Sequence, residues 1–263
     1  MRPIPFEPHR FQSTVDHYVR GRLSYPTALI DRVVALTGLE PDDRVLDIGC
    51  GPGFLATAFA RHAREVVGVD PEPAMLAAAR AYAEAQGVTA TLRQGSSYDL
   101  DASWGMFHLA VMGRSFHWMD RPDTLRRLDQ MIEQGGAVAL FGDRSLKLPE
   151  NAWKQHFDAI LEPFADQDPD RAERKGAAWI RHEAILLASP FNDLQRVSVI
   201  RRLETPTDRL IDRALSLSST SPERLGTRQP ELVAALRDVL NAVARDGHVA
   251  EVVELEALLA FRT

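Results

Sequence analysis

Five short apolar runs divide the first 141 residues, and stretches with helical spacing fill the intervals between them. The runs are Val45–Ile48, Glu65–Val69, Thr89–Gln94, Phe107–Met112 and Ala137–Phe141. The fourth is apolar throughout except for His108, as expected of a strand covered on both faces. A helix opening at Pro26 has its apolar face in Leu29, Ile30, Val33, Val34 and Leu36, and Gly38 stops it. Alanine-rich Phe54–Ala63 and then Ala74–Gln86, which follows Pro71-Glu72-Pro73, read as two more helices. A further helix spans Pro122–Glu133, with Leu125, Leu128, Met131 and Ile132 at helical spacing, and Gly135-Gly136 breaks it before the fifth run. Such alternation implies an α/β fold with a parallel sheet and right-handed crossovers.

The alternation lapses after residue 143. Residues 144–193 carry Trp153, Phe157, Phe164, Trp179 and the charged run Asp166–Lys175 without a clear strand, and read as a helical insertion over the sheet's carboxyl edge. Strand signals return at Leu194–Leu203 and within Val249–Phe261, with helices between, and these two strands pair most simply as antiparallel neighbours at one edge. The expected organisation is an irregular N-terminal lid over 1–25, a ligand-binding core over 26–143, a helical lid over 144–193 and completion of the sheet over 194–263.

Charge narrows the range of partners. The chain of 263 residues has a net charge of −6 and no dense basic block, which disfavours nucleic-acid binding. A single cysteine, Cys50, excludes an intramolecular disulfide and suits a reducing compartment. No apolar run approaches the roughly 20 residues needed to cross a bilayer, and the N-terminus has no apolar signal core. The expected location is cytoplasmic, with no membrane partner. No histidine or cysteine spacing suggests a metal.

The chemistry concentrates at Asp47-Ile48-Gly49-Cys50-Gly51-Pro52-Gly53, where a strand runs into three glycines on alternate positions and then a helix. Asp70 ends the next strand, 21 residues after Gly49. Glycines let a backbone turn sharply and approach a ligand, and an acid so placed accepts ribose hydroxyls. A dinucleotide fold would set pyrophosphate over the glycine turn. The Asp47 carboxylate at the strand mouth would repel it, and the third glycine comes one residue too early for G-x-G-x-x-G. The same carboxylate attracts a ligand with an ammonium and a sulfonium, which describes S-adenosylmethionine. The D-x-G-x-G-x-G segment closely resembles motif I of the class I methyltransferases.

Two other segments resemble a small-molecule methyltransferase group that includes the trans-aconitate methyltransferase-like and type 11 enzymes. Tyr18-Val19-Arg20-Gly21-Arg22-Leu23-Ser24-Tyr25-Pro26 is close to Y-x-x-x-R-P-x-Y-P, and Ser115-Phe116-His117-Trp118 matches an aromatic H-W pair after the fourth strand. The resemblance covers nearly the whole chain. It implies a Rossmann-like, seven-stranded, mostly parallel sheet with helices on both faces and an antiparallel strand at the late edge. Leu23 departs from the group's proline, and Ser96 stands where an acid commonly meets the adenine amino group.

By this resemblance Gly49, Gly51 and Gly53 let the backbone approach the methionine part of the cofactor, and Asp47 lies near its ammonium, directly or through water. Asp70 accepts the ribose hydroxyls, Pro71 and Met75 sandwich the adenine, and Ser96 and Ser97 meet its edge. Gly113 and Arg114 lie where the sulfonium faces the acceptor. Tyr18 and Arg22 fold over the cleft, and the Arg22 fork suits a carboxylate of the cofactor or substrate. His117 is a general base or part of the cavity wall. The implied reaction transfers a methyl group to an O, N or C nucleophile of a small molecule and leaves S-adenosylhomocysteine. Trp153, Phe157 and Phe164 point to an apolar or aromatic acceptor. The same scaffold also suits a non-methylating rearrangement or cyclisation, or methylation of a protein.

Overall fold

Continuously apolar strands occupy the middle of the sheet, and the strand that alternates polar with apolar residues lies at its rim. The computed structural model describes residues 5–165 and 168–262, so the start of the expected lid and the first two residues of the 166–175 charged run lie outside it. The strands are β1 Arg44–Ile48, β2 Glu65–Asp70, β3 Thr91–Gln94, β4 Phe107–Gly113, β5 Ile132–Ser145, β6 Asp193–Pro206 and β7 His248–Phe261. Their order is β3-β2-β1-β4-β5-β7-β6. Neighbours among the first five are parallel, and β7 enters antiparallel between β5 and β6. β7 is nearly all buried, its three glutamates Glu251, Glu254 and Glu256 answered by Arg213, Arg144 and Arg196, whereas β6 leaves Ile200 59% exposed and forms the edge.

The helices are α1 Val15–Gly21, α2 Thr27–Thr37, α3 Phe54–Phe59, α4 Pro73–Ala85, α5 Arg121–Leu128, α6 Trp153–Ala165, α7 Pro169–Lys175, α8 His182–Leu187, α9 Thr207–Leu215, α10 Pro222–Leu225 and α11 Gln229–Val243. Three differ from what periodicity predicts. The N-terminal segment is not irregular throughout, because α1 forms within it and packs on α9. Helix α3 ends at Phe59, short of the predicted Ala63. Helix α5 ends at Leu128, because Ile132 already pairs with Phe107 in β4. Gly135-Gly136 consequently lies inside β5, where the register with β4 shifts before resuming at Leu109↔Ala137.

One face of the sheet packs Val45, Leu109 and Ala139 against Leu29 and Val33 of α2. The other packs Leu46, Ile48 and Val67 in one cluster with Leu125 and Leu128 of α5. A separate cluster joins Trp153, Phe157 and Leu161 of α6 to Leu210 of α9 and Leu232 and Leu236 of α11. The helical cap thus draws on residues before and after β6. The N-terminal segment is tied down through His9 to Glu72 (3.0 Å), through an Arg10–Asp170 ion pair, and through His17 (2.6 Å) and Arg20 (2.9 Å) to Asp212. Arg121, only 1% exposed, donates to the Ile180 carbonyl at 2.7 Å and stacks 4.0 Å from the Trp179 ring, fastening α5 to the chain before α8. No helix among the described residues is long and apolar enough to cross a membrane.

Candidate active site

β1 and β4 are neighbours, yet the chain leaves β1 towards β2 and leaves β4 towards β5, so a crevice opens at their carboxyl ends. The glycine turn forms its floor. Gly49 N–H and Cys50 N–H donate to the Val69 carbonyl at 2.8 and 3.0 Å, joining the turn to the end of β2. Gly49 has φ +66°, and a Cβ there would come 2.6 Å from the Ser115 Cβ, so no larger residue fits. Ser115 itself is fixed by donation from Oγ to the Ile48 carbonyl at 2.7 Å.

Asp70 grips the same turn. Its Oδ2 accepts from Gly51 N–H at 2.8 Å and its Oδ1 from Glu72 N–H at 3.0 Å. Burial pushes its pKa up to about 6, against the pull of these two N–H groups, and the Glu72 charge adds to the rise. A carboxylate has about four acceptor sites, so lone pairs remain for a ligand. Asp70, Pro71 and Met75 form one wall of a slot of about 110 Å³ over Gly49 and Gly51. Ser96, Ser97, Gly113, Arg114 and Tyr18 also line it.

Asp47 lies one layer behind. Its Oδ2 accepts from Ala56 N–H at 2.9 Å and so caps the first turn of α3. Its Oδ1 is buried without a partner, as is the Tyr25 hydroxyl, and both residues line a void of about 10 Å³. That space suits one water molecule. Burial raises the Asp47 pKa to about 7, opposed by the Ala56 N–H and assisted by the Asp70 charge. An orphaned, buried carboxylate oxygen behind the slot fits a ligand that brings positive charge to this end of the crevice.

Beside the slot lies a chamber of about 600 Å³, and Phe11, Tyr18, Arg114, Ser115 and Trp118 face both. Arg114 forms the neck with φ +57°, donates to the Leu23 carbonyl at 2.9 Å and pairs with Asp143. The His117 ring stands in the chamber wall 4.6 Å from that of Trp118. Burial, then the charges of Arg174, His182, Arg22 and Arg121, hold its pKa well below 6.5, so the imidazole is neutral at physiological pH.

Residues 45–136, from β1 into β5, match the methyltransferase domain family. An uncharacterized methyltransferase of Mycobacterium tuberculosis is 28% identical over 91% of this chain and 90% of its own length. A ubiquinone biosynthesis O-methyltransferase of Azorhizobium caulinodans is 35% identical over 36% of this chain and 38% of its own. The crystal structure of an S-adenosylmethionine-dependent methyltransferase from Thiobacillus denitrificans, in complex with S-adenosylhomocysteine, covers all of both chains with TM-score 0.57 and 18% identity. Residues 45–136 form a methyltransferase domain, set in a seven-stranded fold shared with such enzymes.

Most of the expected site residues meet at the slot, but several do not. Arg22 lies in the chamber, where its Nε donates to Ser216 Oγ at 2.8 Å, because α1 docks on α9 and carries Tyr18, but not Arg22, to the slot. Gly53, with φ +78°, faces Ala79 of α4, and a Cβ would come 3.0 Å from the Ala79 Cβ; it sets the approach of two helices and does not line the slot. Asp47 is screened from the slot by the turn it precedes. Ser96 lines the slot while closing a turn, its Oγ donating to Asp99 at 2.8 Å and accepting from Tyr98 N–H at 3.2 Å. Trp153 and Phe157 are buried in the cap, and Phe164 packs 4.3 Å from the Arg228 guanidinium. None of these three lines the chamber, so the expected apolar acceptor loses its basis.

Sequence reasoning missed Glu72, which is 3% exposed, lines the slot, and caps α4 through Ala74 N–H at 3.1 Å. A second acid two residues after Asp70 was the available signal. Phe6 and Phe11, which line the slot, and Arg174 in the chamber carry no local pattern that marks them.

Proposed function

We propose that this chain binds S-adenosylmethionine in the slot and methylates an O, N or C nucleophile of a small molecule held in the chamber. The observation that carries this reading is the shared neck at Arg114 and Ser115, which joins the slot over the glycine turn to a second, larger space. The bound cofactor supplies an electrophilic methyl group on a sulfonium. Asp70 accepts the ribose hydroxyls, Gly49 and Gly51 admit the backbone to close range, and Pro71 and Met75 flank the adenine. Asp47 offsets the ammonium from behind the turn, through the space it shares with Tyr25. Phe6, Phe11 and Tyr18 from the N-terminal segment, together with α7 and α8 of the cap, act as the lid that excludes water. Holding donor and acceptor in line contributes about 7–11 kcal/mol to such a reaction. His117, neutral beside the acceptor space, takes the proton from a hydroxyl or amine where the nucleophile carries one. The buried thiol of Cys50 agrees with a reducing, cytoplasmic setting.

The test is calorimetry with S-adenosylhomocysteine, NADH and ATP, followed by a screen of small acceptors for release of S-adenosylhomocysteine. Binding of the first compound alone, with acceptor-dependent product release, is expected. Tight binding of NADH or ATP with no heat from S-adenosylhomocysteine overturns the reading.

A further inference from the structure

The charges around the chamber do not cancel. Seven arginines face it, in a chain whose net charge is −6. Five of them are answered: Arg114 by Asp143, Arg144 by Glu254, Arg171 by Glu162, Arg181 by Glu183, and Arg196 by Glu183 and Glu256. Arg22 and Arg174 make no ion pair among the described residues. Arg22 donates its Nε to the neutral Ser216 hydroxyl and lies 5.2 Å from the Tyr18 ring; Asp143, already paired with Arg114, acts on it only from beyond ion-pair distance, and Arg114 and Arg213 oppose that pull. Arg174 stacks 4.1 Å from the Trp118 ring, and its Nη1 is buried with no partner. Asp168 and Asp170 act on Arg174 only from beyond ion-pair distance, while Arg10 and Arg171 oppose them.

A guanidinium withdrawn from water without an anion is costly, and planar donor forks of this kind match carboxylate and phosphate oxygens. Both groups come from cap-side elements, Arg22 just after α1 and Arg174 in α7, and both lie close enough to His117 for their charges to act on it.

We propose that Arg22 and Arg174 form a binding site for an anionic group, a carboxylate or a phosphate, on the methyl acceptor, and that this contact places the acceptor's nucleophile beside His117. The inference rests on the methyltransferase reading and adds the charge class of the substrate. It explains how an acidic protein recruits an acidic small molecule, since the local field inside the chamber is opposite in sign to that of the whole molecule. The bound anion also offsets Arg22 and Arg174, two of the four charged neighbours that add to the effect of burial in lowering the proton affinity of His117. The base thereby gains proton affinity when the substrate is in place.

Succinate, inorganic phosphate and neutral succinamide, titrated into the full chain saturated with S-adenosylhomocysteine, test the proposal by calorimetry and by the NMR signals of the His117 ring. Expected are binding of at least one anion, a shift at His117, and no response to succinamide. Loss of a charge-assisted hydrogen bond predicts a fall of about tenfold or more in anion affinity for Arg22→Gln and for Arg174→Gln. Arg22→Lys and Arg174→Lys restore much of it, and S-adenosylhomocysteine binds all four variants like the wild type. A response to succinate alone assigns a carboxylate acceptor, and a response to phosphate alone assigns a phosphorylated one. Undiminished anion binding in the Gln variants, or no response to either anion while S-adenosylhomocysteine still binds, overturns the proposal and leaves the methyltransferase reading standing. Failure of S-adenosylhomocysteine to bind the wild type overturns both.

Discussion

Replacing Asp70 by Asn removes one negative charge and one acceptor while keeping the side chain's shape. The carboxylate accepts from Gly51 N–H at 2.8 Å and from Glu72 N–H at 3.0 Å, and the proposed ribose contacts require two further acceptor positions. An amide has a single oxygen, so the NH₂ group must face one of the two backbone donors or turn into the slot. Two charge-assisted hydrogen bonds to the ribose, at about 1.5–3 kcal/mol each, amount to about 3–6 kcal/mol. At roughly 1.4 kcal/mol per decade, affinity for S-adenosylhomocysteine falls by about 10²- to 10⁴-fold.

Protonation provides an independent check on the same group. With a folded pKa of about 6, the wild-type carboxylate is largely ionised above pH 7 and largely neutral at pH 5. Wild-type affinity measured by calorimetry therefore rises between pH 5 and 7 and then levels off, while Asp70→Asn lacks that step. Thermal unfolding of the variant establishes that the fold persists. An affinity within about threefold of the wild type, with an unchanged pH profile and a native melt, refutes the assignment of Asp70 to the ribose.

Gly49→Ala forces a side chain into the left-handed region and against Ser115, at about 1–2 kcal/mol for the backbone and about 1–3 kcal/mol for overpacking; a lower melting temperature and weaker S-adenosylhomocysteine binding follow, and an unchanged melt contradicts the geometry. For Asp47, whose folded pKa of about 7 lies above its unfolded value of about 3.9, the folded state binds the proton more tightly, so its contribution to stability is full below pH 4 and is lost as pH rises through 7. The stability of the wild type minus that of Asp47→Asn, from urea unfolding of the ligand-free protein, should decline from pH 4 to pH 8; a rising difference reverses the sign of the argument. His117→Gln should lower kcat by about 10²- to 10⁴-fold if the acceptor must lose a proton. The wild-type kcat/KM, which reports the free enzyme, should show no His117-dependent fall until pH drops below 6.5, and a limb in kcat/KM at or above that value that disappears in the variant contradicts the depressed proton affinity.

What the chain's pattern disclosed depends on how local each determinant is. Buried strands such as Phe107–Gly113 announce themselves through continuous apolar composition, and Gly38, at φ +67°, ends its helix by a rule that involves only its neighbours. The alternation of Asp193–Pro206 is legible as a strand, and the antiparallel pairing with His248–Phe261 is readable, but the three glutamates Glu251, Glu254 and Glu256 blur the second strand and its place between β5 and β6. Trp153, Phe157 and Leu161 recur every four residues, a helix-core signature that the aromatic character of Trp153 and Phe157, read as pointing to the acceptor, obscures. Arg22 could not be placed from its own surroundings. Its position is set by α1 lying on α9 and by Ser216, 194 residues away.

Asp47 shows how an inference from charge can rest on an incomplete geometry. The acid at the strand mouth separates a cationic ligand from a phosphate-bearing one by charge alone, and that argument needs only its position in the motif. In the folded chain one of its oxygens caps α3 and the other is left without a partner in a closed space next to Tyr25. The residue is thus structural on one side and electrostatic on the other, and burial raises its pKa because nothing in the chain answers its charge. Arg22 and Arg174 present the mirror image across the neck, where cations stand without anions. A crevice that leaves a carboxylate unanswered at the donor end and guanidiniums unanswered at the acceptor end is poised to take a positively charged donor and a negatively charged acceptor in one orientation. Average composition conceals this arrangement, because a net charge of −6 sums over a surface on which the two ends of the site contribute opposite signs.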